Sequence, residues 1–214
     1  MSEQTGRKRL SAEEGRRLRV NLLRVAGLAA CLGLLMEAII VLGGLDTATV
    51  SSLLDHGLWP FMVCMAVAVG QAVSGGWPPR AGAFSLVATP IAFLAAKVIQ
   101  KGVAAVLDGA APGQFVNSDL LLEAGLRAVE YAVLAAALAW LVRQAWAGAL
   151  AHLATGAVIG VVFGLLIALF LPPDSLLNWG VEEVVFPTGC ALIVFASETL
   201  TQLLPDNTLP TISA

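Results

Sequence analysis

Six apolar stretches of membrane-spanning length follow one another with little polar sequence between them: 20–44, 58–75, 82–107, 120–142, 150–171 and 179–204. A helix needs about 20 apolar residues to cross roughly 30 Å of hydrocarbon. The expected fold is therefore all-α, a polytopic bundle of six transmembrane helices joined by short loops. Composition agrees. Of 214 residues 58% are hydrophobic and only 13% charged, with a mean hydropathy of +0.84. A water-soluble fold of this composition would have to expose large apolar patches, which soluble monomers avoid.

The connectors read as turns: Pro78, Pro79 and Arg80 after the second stretch, 109–113 after the third, and Pro172, Pro173 and Asp174 after the fifth. Short connectors make consecutive helices antiparallel neighbours. Basic residues set the orientation. Arg7, Lys8, Arg9, Arg16, Arg17, Arg19 and Arg24 precede or open the first stretch, Arg80 lies in the second connector and Arg143 flanks the fourth, whereas the other connectors carry Asp46, Asp55, Asp108, Asp119 and Asp174 without Lys or Arg. Both termini are then cytoplasmic, and the bacterial cytoplasmic (inner) membrane is the expected location. Residues 1–19 form a basic cytoplasmic segment whose Ser11 and Glu14 fit a capping box for a short interfacial helix. Residues 20–204 form the membrane domain and 205–214 a cytoplasmic tail. The segment Leu28, Ala29, Ala30, Cys31 resembles a bacterial lipoprotein cleavage box, but only six residues separate Arg24 from Cys31 and the apolar run continues to Leu42, which suits a span.

Net charge is −3, and the only basic cluster is N-terminal, so no nucleic-acid groove is expected. Cys31, Cys64 and Cys190 lie inside apolar stretches with no ligand spacing. They read as packed thiols, with neither disulfide nor metal, and no cofactor is expected.

Ionisable side chains within spans are costly and are the first place to look for function. Glu37 lies in the first span, Lys97 and Lys101 in the third, Glu123, Arg127 and Glu130 in the fourth, Glu182, Glu183 and Glu198 in the sixth. At 1.5 Å rise per residue, Lys97 and Glu130 each lie about 15 Å deep, and Arg127 about 10 Å. All but Glu198 fall in the outer half of the bilayer. Lys97 and Lys101 share one helical face, as do Glu123, Arg127 and Glu130. The two stripes carry opposite sign balance on adjacent antiparallel helices and are expected to face each other, with Lys97 and Glu130 paired or sharing a site. Glu182 and Glu183 also suit the first turn of a helix, where the dipole favours carboxylates, and Glu123 follows the helix start at Ser118 and Asp119. Glu198 is near enough to the cytoplasmic end to snorkel. The cluster is thus either a structural ion-pair network or a site for an ion, proton or small polar solute.

Pro90 and Pro187 should kink or break the third and sixth spans. These spans are the third members of two oppositely directed three-helix halves, as a 3+3 inverted repeat would require, although 81–101 and 178–198 share little beyond the proline. Gly156, Gly160 and Gly164 form a strip for close helix packing. Self-association, or docking of a membrane-complex partner through the fifth span, is the expected use, with an internal neighbour as the alternative. Ala128, Ala132 and Ala136 repeat the small-residue pattern, and Trp59, Trp77, Trp140, Trp146 and Trp179 are placed to form interfacial belts.

The run Val181, Glu182, Glu183, Val184, Val185, Phe186 resembles the paired-glutamate motif of intramembrane CAAX-type proteases. In that family a phenylalanine–arginine pair and later histidines follow. Here Pro187 replaces the arginine, and the only histidines, His56 and His152, lie upstream. No enzyme is expected. Two functional classes remain: a small transporter or channel using the outer charge cluster, or a non-catalytic subunit or assembly factor of a larger membrane complex, with the charges and the glycine strip as its contacts.

Overall fold

Backbone polar groups facing lipid must be satisfied within the chain, and the helix is the form these sequences take. The computed structural model describes residues 20, 23–32, 34–35, 38, 50–108, 116–172 and 176–203, with no strand among them. We number the helices α1 (Leu23–Leu32), α2 (Val50–Ser74), α3 (Pro78–Asp108), α4 (Ser118–Leu141), α5 (Ala149–Phe170) and α6 (Leu176–Leu203). Four segments are long and apolar enough to cross a membrane: Pro78–Val106, Ser118–Leu141, Ala149–Phe170 and Glu182–Leu200. Leu23–Leu32 and Leu58–Ser74 are shorter apolar helices within the first two expected spans. Exposed Ile91, Val106, Leu150, Val158, Leu165 and Leu169 give the outside of the bundle the apolar surface that lipid contact requires.

Local signals set the helix ends. Gly75 and Gly76, at φ +60° and +74°, reverse the chain between α2 and α3 in a backbone region that disfavours side chains. Pro78 then opens α3, where its missing N–H costs nothing. Asn117 caps α4 by accepting a 3.0 Å hydrogen bond from the Leu120 amide. Helices α2, α4 and α6 share the interior, with α3 packed on α2 and α4, and α5 packed on α6 and α4. The core between them holds Val63, Val67, Tyr131, Leu134, Cys190 and Val194. Cys64 and Cys190 are buried free thiols, while Cys31 is exposed.

Three expectations change here. Helices α3 and α6 run unbroken through Pro90 and Pro187, so the discontinuous helices anticipated for an inverted repeat are not formed. Trp59 is not a belt residue: it is buried and packs edge-on against Phe93 at 4.7 Å and Tyr131 at 5.9 Å. Trp77, Trp140 and Trp146 are exposed, as a belt requires. The glycine strip of α5 is occupied by α6 of the same chain. A Cβ at Gly156 would stand 2.6 Å from the Thr188 Cα, and one at Gly164 would stand 2.8 Å from the Glu183 Cβ. Gly160 faces the Glu183 carbonyl oxygen so closely that no Cβ would fit. Pro187 explains that approach. Lacking an N–H, it leaves the carbonyl of Glu183 without its usual helical donor, and the Cα–H of Gly160 meets that oxygen instead. The strip does mediate close packing, and the helix it holds is α6 of the same chain.

Candidate functional site

The fourth span carries Glu123, Arg127 and Glu130 on one face, and the structure turns that face toward α6. Arg127 is buried. Its Nη1 donates to Glu130 Oε2 at 2.9 Å and to Glu183 Oε2 at 2.5 Å. Nη2 donates to Glu183 Oε1, completing a two-pronged grip on that carboxylate. Its Nε lies 3.9 Å from Glu123 Oε1, an ion pair too long for a hydrogen bond. The planar guanidinium fork suits such bidentate binding in a way an ammonium does not. Glu130 is 0% and Glu183 3% exposed. Both are held where an unpaired charge would cost several kcal/mol or about 3 by insertion scales.

The placement of Glu183 follows from the α5–α6 seam. Gly164 leaves room for its Cβ and Cγ, Gly160 receives its carbonyl, and the side chain is thereby aimed across the interior at Arg127. One residue earlier, Glu182 points to a different place. With Trp59, Phe93, Lys97, Glu123, Arg127 and Phe186 it lines a small cavity of about 30 Å³, roomy enough for a water-sized group. The Lys97 ammonium lies 6.0 Å from the Phe93 ring centre, the edge of cation–π range.

The expected meeting of the two charged stripes is thus only partly realised. Lys97 joins Glu123, Arg127 and Glu182 at the cavity wall. Glu130 has Arg127 as its partner through Oε2, and its Oε1 is buried with no hydrogen-bond partner among the described residues. Lys101 is exposed on α3 and is not part of the cavity lining. Glu37 lies outside the described residues. Among the described residues no group of His, Cys, Asp and Glu is arranged to hold a metal ion.

Sequence reasoning did not anticipate a second cavity at the opposite end of the same interior. It has a volume of about 320 Å³ and is lined by Gln71, Ser197 and Glu198 among small and apolar side chains of α1, α2, α4 and α6. Gln71 is anchored there by donating to the Ala135 carbonyl at 2.7 Å. Along α2, α4 and α6 the residues between the two cavities are buried: Val63 and Val67, Tyr131 and Leu134, Cys190 and Ile193. The available signal was Gln71 near the end of an apolar run, with Glu198 near the end of another. No protein-family model, curated protein or solved structure matches the chain.

Proposed function

We propose that the chain is a small integral membrane transporter or channel for an ion or small polar solute, with the Arg127 cluster as its outer site. One observation carries this reading: two cavities, each with polar side chains in its lining, open into opposite ends of one helical interior and are separated by a buried, largely apolar layer. A bundle that only needed to hold together in lipid would gain more from apolar packing than from a buried guanidinium and its carboxylates. Six spans with both termini cytoplasmic belong to the same reading, since the basic residues favour that orientation. It makes the 30 Å³ cavity the outer one and the 320 Å³ cavity the inner one. A bacterial inner membrane is the proposed location. A 3+3 inverted repeat has only the matching prolines in its favour.

The competing reading, a non-catalytic subunit, relied on the charges and the glycine strip as contacts for a partner. Both are engaged inside the chain, which favours transport. The test is reconstitution into liposomes carrying a pH-sensitive dye, with imposed proton, sodium and potassium gradients. Flux above that of protein-free liposomes, lowered by Arg127→Lys, is expected. Absence of all three fluxes, together with stoichiometric co-purification of another membrane protein, would overturn transport in favour of the subunit.

A further inference from the structure

We propose that Glu130 is a proton-binding site, an inference that rests on the transport reading for its use.

Charge balance and geometry lead to the site. The guanidinium of Arg127 spends both prongs of its fork on Glu183 and shares a single N–H group, Nη1, with Glu130. One cation therefore faces two buried carboxylates. The other charges near this point do not supply the missing one in excess: the cavity wall adds Lys97 but also Glu123 and Glu182. Tyr131 of α4 and Cys190 of α6 also lie near Glu130, and neither is a cation. Glu130 is fully buried, with Oε1 lacking any hydrogen-bond partner among the described residues. A proton on Oε1 removes the uncompensated charge and leaves Oε2 free to accept from Arg127.

Arg127, which donates to Glu130, also lines the outer cavity, so that cavity is the side from which the proton is exchanged. A proton arriving there forms an O–H bond at Glu130 Oε1, and the same bond breaks when it leaves, so charge moves with no oxidant or reductant.

The full chain in lipid nanodiscs, examined by infrared difference spectroscopy in H₂O and D₂O, tests the site. A protonated-carboxyl band that shifts in D₂O is expected in the wild type and in Glu198→Gln, is lost in Glu130→Gln, and is weakened in Glu183→Gln, where one guanidinium faces one carboxylate. Glu130→Gln should also fold and melt no lower than the wild type, because an amide imitates the protonated acid and still accepts from Arg127. No band in the wild type, a band unchanged by Glu130→Gln, or a Glu130→Gln chain that cannot fold would each overturn the site. The last outcome would mean that Glu130 is needed as an anion. Proton flux into liposomes tests the use of the site: Glu130→Gln should abolish it. Flux untouched by Glu130→Gln overturns that use. A Glu130 band without any flux defeats the transport reading and leaves the proton site standing; flux without the band does the reverse.

Discussion

Glu183 and Glu198 sit on one helix, about four turns apart, and are accommodated by opposite means. Glu183 is buried and gripped by Arg127, and its backbone is locked into the glycine strip of α5. Glu198 is half-buried at the lining of the 320 Å³ cavity, beside Ser197 and Gln71. A carboxylate deep in a bundle needs a partner held in place by packing, whereas one near the end needs only access to a polar space. The first arrangement involves three helices and fails as a unit. The second is local.

Breaking the grip should have the largest effect. Arg127→Met strands the Glu183 carboxylate in a buried site and takes away the donor to Glu130, and removing one member of a buried ion pair costs about 3–5 kcal/mol. Loss of the monodisperse peak in detergent, or a large fall in melting temperature, is the expected readout; a near-normal melt would show that the carboxylates do not depend on the guanidinium. Gly160→Leu should come next. Overpacking a close seam costs about 1–3 kcal/mol and sometimes more, and here the added side chain meets the Glu183 backbone rather than a movable side chain. A misfolded chain is expected. A well-folded monomer replacing a wild-type oligomer would instead mean that the strip serves contacts between copies.

The helical nature of the chain and most of its candidate residues were legible in the sequence, because spans and intramembrane charges follow from length and hydropathy alone. The shared face of Glu123, Arg127 and Glu130 was legible too, since helical periodicity fixes it. Which neighbour that face meets was not. The lysines of α3 were the nearer candidates in sequence, yet the principal partner is Glu183 of α6, because the α5–α6 seam aims it inward. The same seam was visible as three spaced glycines, but spacing does not reveal whether the partner helix belongs to the same chain. Trp59 was misassigned to a belt because depth near a helix end says nothing about which way a ring points.

A milder change at the same seam sharpens the contrast. Gly164→Ala adds one methyl group 2.8 Å from the Glu183 Cβ and 3.1 Å from its Cγ. The backbone of α6 can yield slightly there, so a loss of about 1 kcal/mol is expected, within the lower range of overpacking. If the seam positions the ion pair, flux should fall more than stability does, because the carboxylate is displaced while the fold survives. Equal losses in both would make Gly164 a packing residue only.

The smallest effect belongs to the other end of α6. Glu198→Gln keeps the volume and the hydrogen-bonding capacity of the side chain, and no described ion pair to Glu198 is broken by it. The stability change should stay within about 0.5 kcal/mol, as for most substitutions away from a buried network. Its consequence for transport is separable from its consequence for folding. If Glu198 merely borders a polar space, flux should be unaffected as well, since Gln71 and Ser197 keep the cavity polar. If the inner cavity receives the charge that leaves the Arg127 site, removing its carboxylate lowers flux with the melting temperature unchanged. A destabilisation comparable to that of Arg127→Met would break the comparison itself, because the two carboxylates would then be held by the same kind of buried partnership.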